Sequence, residues 1–475
     1  MILMKNINLV LKILILVIIA NISNSTRAVS NEYCGDQSIN FTNKTINSKP
    51  VLFKIFVHKS DKFYKRSISA YLSKGLRIPK KFKKFQKAKI TVYFSEDVYC
   101  HFESEIRIHG GQKDHIRNPY HPSLRVRLIN GHVNHIFNFA LIRKEARNFN
   151  EEIFITTFLK ELKFLTPTYF KTEVQINGFG EKQQYLFVEM PSHEMAKDQN
   201  RNNGYFLSGN ANNFEVQKTE KKFEKSLVLG RIKFSEPRFI SNKNKEVLLN
   251  GLDKLNYLYI NSLGIGDGKI CCKDDQNIFS NLYSQGSYFL NMKNLVSDYE
   301  RLVLFNLILK SFNAVHGLSL EDRVFYYDPM FDKIEPVYND GDPNILNFNT
   351  FCHSLNNLWN CPISQIPRAS KYKHKNYFIF ESEKKFLNKT KDLIKSINTN
   401  NLQQNLSKNN LFLSDLQISK ILLRIEKNLD LASKNIIKDY QPYLANNFFI
   451  NHFDNKNLNF SLIFGGQKIC LKFVQ

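Results

Sequence analysis

At 475 residues, with 43% hydrophobic and 13% aromatic side chains, the chain is long enough for two or three domains and too apolar for general disorder. Lys+Arg number 67 against 43 Asp+Glu, a formal net charge of +24 that attracts polyanions such as nucleic acid, phosphorylated glycans, anionic lipid or nucleotide phosphates. The basic residues are scattered among Asn and Ile and no nucleic-acid motif is present, so a specific nucleic-acid partner is not expected. Seven cysteines fit an oxidising compartment without making the chain a disulfide-built scaffold; Cys352 and Cys361, flanking a short loop, are the expected pair.

Residues 1–28 place Lys5 and Lys12 ahead of the apolar run Ile13 to Ala20, then small polar residues, the layout of a secretory signal peptide cleaved between Ser23 and Ala28. An uncleaved anchor is the alternative, though it requires a longer apolar core. The expected location is secreted, periplasmic or in the cell envelope. Residues 29–88 read as an irregular basic extension, densest at "KSDKFYKRS" and "IPKKFKKFQKAK". Such runs are usually solvated surface and would suit contact with an anionic surface.

From Lys89, "KITVYFS", "CHFESEIRIHGG" and "PSLRVRLING" alternate apolar and polar residues between turn signals, predicting antiparallel strands. In "RNFNEEIFITTFLKELKFL", Phe154, Phe158 and Leu162 recur every four residues, with Glu151 and Glu152 near the start. This predicts an amphipathic helix with acid at its positive end. A hairpin around "NGFG" follows, so residues 89–210 are expected to form a compact α+β lobe. Within 211–440, "SDYERLVLFNLILKSFNAVHG" is apolar almost all round and predicts a buried helix. "RVFYYDP" and "KIEPVYND" predict a hairpin, later segments look helical, and 441–475 form a strand-like tail.

The second hairpin ends in "NDGD", with Asp340 and Asp342 on either side of one glycine. Mg²⁺ takes one or two hard oxygen ligands from protein and the rest from water and phosphate. Asp340 with Asp342 or Asp322 would supply them. On these residues alone the competing reading is an ordinary Asp-Gly turn, with Asp342 capping the next segment.

The order of parts resembles a protein kinase, and the local sequence resembles the CotH family of atypical secretory kinases. "IRIHGG" with "PSLRVRL" resembles that family's glycine loop and basic strand. "ARNFNEEIFITTFLKELKFLTPTYFKTEVQINGFGEKQQYLFVEM" is similar to its helix, hairpin and Glu-ending strand, and "VFYYDPMFDKIEPVYNDGD" to its acidic hairpin. The resemblance spans about 90–345 and implies an α+β, two-lobed kinase-like fold with an antiparallel first lobe and a mostly helical second. It implies ATP with Mg²⁺ (or Mn²⁺) as cofactors and an extracytoplasmic protein or glycan as acceptor. A pseudokinase serving as a nucleotide- or polyanion-binding assembly module of the envelope is the alternative.

Carried across residue by residue, the resemblance puts Asp340 on the family's metal-binding aspartate, Asp342 on the second acidic position and Asp322 on a further metal ligand. Where the catalytic Asp is expected, this chain has Gly317. His316, adjacent, is the candidate substitute base, or else packs at the end of the buried helix.

Phosphate contacts are expected from the first lobe. Arg125 and Arg127 share one strand face and would grip phosphate bidentately, or simply face solvent. Glu151 or Glu152 would orient one of them. Gly110 and Gly111 would let backbone N–H groups approach phosphate, unless they form only a turn. Glu189, at a strand end, would frame the adenine. Six histidines lie between His101 and His135, but their spacing fits no zinc signature.

Overall fold

The computed structural model describes residues 34, 49–96, 98–178, 181–208, 299–318, 322–346 and 379–434, with short segments between 233 and 255 and between 436 and 472. It divides into two compact units: residues 1–149, 168–190 and 407–411 make the first, and 150–167, 191–406 and 412–475 the second. Cys352 and Cys361 lie outside the described residues. Among the described residues, no helix is long and apolar enough to cross a membrane.

The first unit is a closed barrel of seven strands: β1 (Leu52–Val57), β2 (Gln86–Tyr93), β3 (Tyr99–Ile108), β4 (Leu124–Leu128), β5 (Asn138–Arg143), β6 (Tyr169–Ile176) and β7 (Gln183–Glu189). They run β1-β2-β3-β4-β5-β7-β6 around the barrel. Closure is made by β1, which pairs antiparallel with β2 and parallel with β6, Leu52 opposite Glu173 and Ile55 opposite Ile176. Asn177 extends that seam: its side-chain Oδ1 accepts from Val57 N and its own N–H donates to Ile55 O, both at 2.7 Å.

This closure corrects the sequence reading. The expected two-lobed, kinase-like α+β fold does not form, because the segment read as an irregular extension supplies a strand that seals the sheet into a barrel. The same stretch also supplies the helix α1, Ser60–Leu72, with Phe63, Ser67 and Ala70 buried. Its inward stripe is short and partly polar, and its exposed residues are Asp61, Lys62, Lys65, Tyr71 and Leu72.

Alternation places the core. In β3, Cys100, Phe102, Ile106 and Ile108 are buried; in β4, Leu124, Val126 and Leu128 are buried while Arg125 and Arg127 turn outward. Phe187 stacks with Phe170 at 4.3 Å and Phe139 at 4.6 Å between ring centroids, with Phe53 beside them at 5.9 Å. Each such ring contributes roughly 1.5–3 kcal/mol by burial. A disulfide joins Cys34 to Cys100 on β3.

The second unit mixes sheets with helices and is not mostly helical. It takes in α2 (Phe149–Glu161) from its second residue, α3 (His193–Asp198), and a sheet of β8 (Tyr205–Ser208), β9 (Lys233–Phe234), β10 (Val324–Asp328) and β11 (Lys333–Val337) in the order β11-β10-β8-β9. The helix α4, Tyr299–Ser311, is buried over most of its surface. Just beyond it, Phe312 packs against Phe158 at 4.8 Å and Phe154 at 6.0 Å. Asn313 adopts a left-handed φ of 56°, and Ala314 N donates to Leu309 O, which stops the helix.

Candidate metal centre

The chain leaves α4 through a tight turn at Val315–Leu318 and returns as the β10–β11 hairpin. Gly317 sets the spacing between turn and hairpin end. A Cβ built there would lie 2.8 Å from Asn339 O and 3.1 Å from Gly341 Cα, so only glycine lets the two backbones approach this closely. Gly341 is enclosed in turn, a Cβ there falling 2.5 Å from Tyr338 Oη. Arg323 Nε donates to Leu318 O at 2.8 Å and Asn339 Nδ2 to Asp322 O at 2.7 Å, which ties the turn and the hairpin end to residues 322 and 323.

These constraints bring together three side chains from three places in the sequence. His316 Nε2 lies 3.4 Å from Asp322 Oδ2 and 3.8 Å from Asp340 Oδ2, each side chain about a quarter exposed. One ligand atom from each falls within 4.8 Å of the others. Donors about 2.1 Å from one ion, at right-angled to tetrahedral geometry, stand about 3.0–3.5 Å apart, so the residues present fit a single small divalent cation after slight contraction. The donor set, one imidazole nitrogen and two carboxylate oxygens, is harder than a zinc-finger set and softer than an all-oxygen magnesium set.

The acidic turn is held from below by α2. Tyr338 Oη donates to Glu152 Oε2 at 2.6 Å, and Asp342 N to Glu152 Oε1 at 3.3 Å. Ile345 N and Leu346 N donate to the two oxygens of Glu151, each at 2.8 Å. Arg424 Nη1 donates to Ile345 O at 2.8 Å, fixing the segment from its other side. Asp340 and Asp342 both take left-handed φ, 50° and 48°, a conformation that Asp tolerates better than most residues and that clusters at ligand sites.

Among the expected metal residues, Asp340 and Asp322 therefore meet, His316 joins them, and Asp342 stands outside the three-residue group. Glu152 accepts from Tyr338 Oη and Asp342 N at that turn. Gly110, Gly111, Arg125, Arg127 and Glu189 belong to the first unit. Gly110, at φ 88°, packs under the His115 ring, and Gly111 O accepts from Ile78 N at 2.9 Å. Arg125 Nε donates to Asn138 Oδ1 at 2.9 Å. Glu189 is buried and its Oε2 accepts from Thr168 N at 2.8 Å, a clasp between strand ends.

No local pattern in the sequence marks the roles of Tyr338, Asn339 and Arg424 or the close approach at Gly317. A glycine where an acid is expected, directly after a histidine, was the available signal. No protein-family model matches this chain, and a search of curated proteins returned no match.

Proposed function

We propose that the chain binds a divalent cation, Mn²⁺ or Mg²⁺, through His316, Asp322 and Asp340, and uses it on the phosphates of a nucleotide for transfer to an extracytoplasmic protein or glycan. The observation that carries this reading is the convergence of one imidazole and two carboxylates, from a turn, a loop and a hairpin end, around a space of single-ion size. A metal bound there would neutralise charge on phosphate oxygens. The imidazole in the set favours Mn²⁺ over Mg²⁺. His316 Nε2 faces Asp322 Oδ2 and Asp340 Oδ2, and on this reading His316 is a ligand beside them rather than the free base expected beside Gly317.

A second reading, nucleotide binding without transfer, draws on Gly317. The position where a catalytic carboxylate is expected has no room for a side chain, since a Cβ there meets the backbone of Asn339 and Gly341.

Calorimetric titration with Mn²⁺ tests the centre. The wild-type chain is expected to give a saturable one-site isotherm, and Asp340→Asn to weaken it by about a hundredfold or more while unfolding within about 1 kcal/mol of wild type. Equal Mn²⁺ affinity in the two proteins would remove the centre. Metal-dependent ATP binding with labelled-phosphate transfer then supports the first reading, and binding without transfer the second.

A further inference from the structure

Between Asp61 and Glu96 the sequence carries eleven lysines and arginines and no acid. The stretch runs through α1 and the loop after it into β2. Soluble surfaces intersperse the two signs of charge and expose large apolar residues singly. Neither holds here. Tyr71, Leu72 and Leu76, three large apolar side chains within six residues, are 44%, 72% and 75% exposed.

Hydrogen bonds to the backbone hold these residues in place. α1 stops at Ser73, whose Oγ donates to Ala70 O at 2.7 Å. Gly75, at φ 83°, turns the chain back. Lys113 ties the two sides of the turn together: its Nζ donates to Tyr71 O at 2.8 Å and to Ser73 O, and its N–H donates to Leu76 O at 3.0 Å. Buried Ile78 closes the loop, its N–H donating to Gly111 O at 2.9 Å. The three exposed side chains are thus gathered around one anchor and kept out of the barrel core.

Lys74 stands inside this turn, Lys80 and Lys81 follow Pro79, and all three are exposed. Farther along, Lys89 is paired with Glu103 at 3.5 Å, so the cations nearest the leucines carry the case. Nine of the eleven cations are lysines. Protein interfaces are depleted in lysine and enriched in arginine, whose rigid fork needs a fixed partner, whereas an ammonium is a point charge that suits mobile headgroups. Gripping a soluble polyanion would leave the leucines without a role. We infer that the turn Tyr71 to Leu76, with Lys74, Lys80 and Lys81, docks this unit on an anionic lipid bilayer. Leu72 and Leu76 enter the acyl boundary, the Tyr71 ring lies at headgroup level and the lysines meet the headgroup charge. This surface does not involve the metal centre and stands or falls without it.

Co-flotation with vesicles of phosphatidylcholine and phosphatidylserine, mixed about two to one, provides the test. The chain is used without residues 1–28, whose own apolar run would bind lipid; every described residue is retained. It is expected to partition onto these vesicles at least about tenfold more strongly than onto pure phosphatidylcholine. Leu72→Ser combined with Leu76→Ser should lose at least about tenfold. Lys80→Gln combined with Lys81→Gln should lose about as much, at roughly fivefold per lysine. Met330→Ser with Phe331→Ser removes a comparably exposed apolar pair that stands between Asp328 and Asp332, and is expected to change binding less than about twofold. Equal binding to the two vesicle types, or a loss at Met330 and Phe331 as large as at the leucines, overturns the proposal.

Wild-type binding by the leucine double variant, with heparin competing the chain off the vesicles, would assign the basic run to a soluble polyanion and also overturns it. A measurement on the unmutated chain guards against misfolded variants. Vesicles are expected to protect Tyr71, Leu72 and Leu76 from hydroxyl-radical oxidation, read by mass spectrometry, while Met330 and Phe331 stay reactive. Unchanged oxidation at the turn in the vesicle-bound chain counts against the proposal.

Discussion

Two regions of the second unit treat carboxylates in opposite ways. At the start of α2, Glu151 and Glu152 are each 1% exposed, and their oxygens accept from Ile345 N, Leu346 N, Tyr338 Oη and Asp342 N. At the end of the β10–β11 hairpin, Asp340 stays about a quarter exposed and, with Asp322, faces an imidazole. A buried carboxylate needs donors to offset lost hydration, and these two glutamates have them. The partly exposed pair has a histidine as its neighbour instead, and on the proposed reading would turn its oxygens to a cation. Scaffold acids and candidate-site acids are thus distinguished by what faces them, although both kinds meet at the same turn.

That distinction predicts a graded series of effects. The largest belongs to Glu383, a scaffold acid 2.6 Å from Lys310 Nζ, with both side chains almost wholly buried. Burial lowers the Lys310 pKa and Glu383 opposes the shift. Glu383→Ala leaves that ammonium without its carboxylate and is expected to cost about 3–5 kcal/mol in denaturant unfolding. Glu151→Ala deprives Ile345 N and Leu346 N of their acceptor and should cost about 2–4 kcal/mol, with Mn²⁺ affinity falling as the turn loosens. If Glu151→Ala instead spares stability and abolishes metal binding, the division between scaffold and site collapses.

Gly317→Ala is a smaller perturbation, about 1–3 kcal/mol, because its methyl presses on Asn339 O and must shift the hairpin end. Its sharper signature is loss of Mn²⁺ binding out of proportion to stability, as His316 is carried away from the two aspartates. The smallest effect is a pH dependence in the first unit. Desolvation of the partly buried His109 ring, followed by the charges of His115 and then Arg125, Arg107 and Arg147, holds its pKa well below the ordinary imidazole value. The unfolded chain then takes up a proton that the folded one refuses, so stability falls as pH drops below about 6.5, by at most about 1.4 kcal/mol per unit. Burial also lowers His121 and His193, so His109→Gln should flatten that slope in urea melts at pH 5 to 7 without erasing it.

How much of this was legible in the sequence depended on whether local pattern or distant pairing decided the outcome. The outward turn of Arg125 and Arg127 followed from alternation in "LRVRL", and the acid-started helix lies at Phe149–Glu161. Strand β1 was missed because "LFKIFV" carries Lys54 and an exposed Phe56 among its apolar residues, which blurs the two-residue period. Barrel closure could not be read at all, since it depends on a parallel pairing between β1 and β6 that no local signal specifies. At the candidate centre, the residue types were visible but their company was not. His316 meets Asp322 and Asp340 only because two backbones pass at glycine distance, whereas Asp342, two residues from Asp340, directs its N–H to Glu152.

The parallel seam also governs the timetable of folding. During synthesis, strand β1 emerges early, yet its partner along one side is complete only after residue 176 has left the ribosome, and Asn410, whose Nδ2 donates to Lys171 O at 3.0 Å, arrives far later still. Throughout that interval the nascent sheet presents unpaired edges, the surfaces on which strands from neighbouring chains add. Closure by so distant a contact makes this unit a slow folder whose yield should rise with chaperone supply and fall with slower translation between residues 93 and 169.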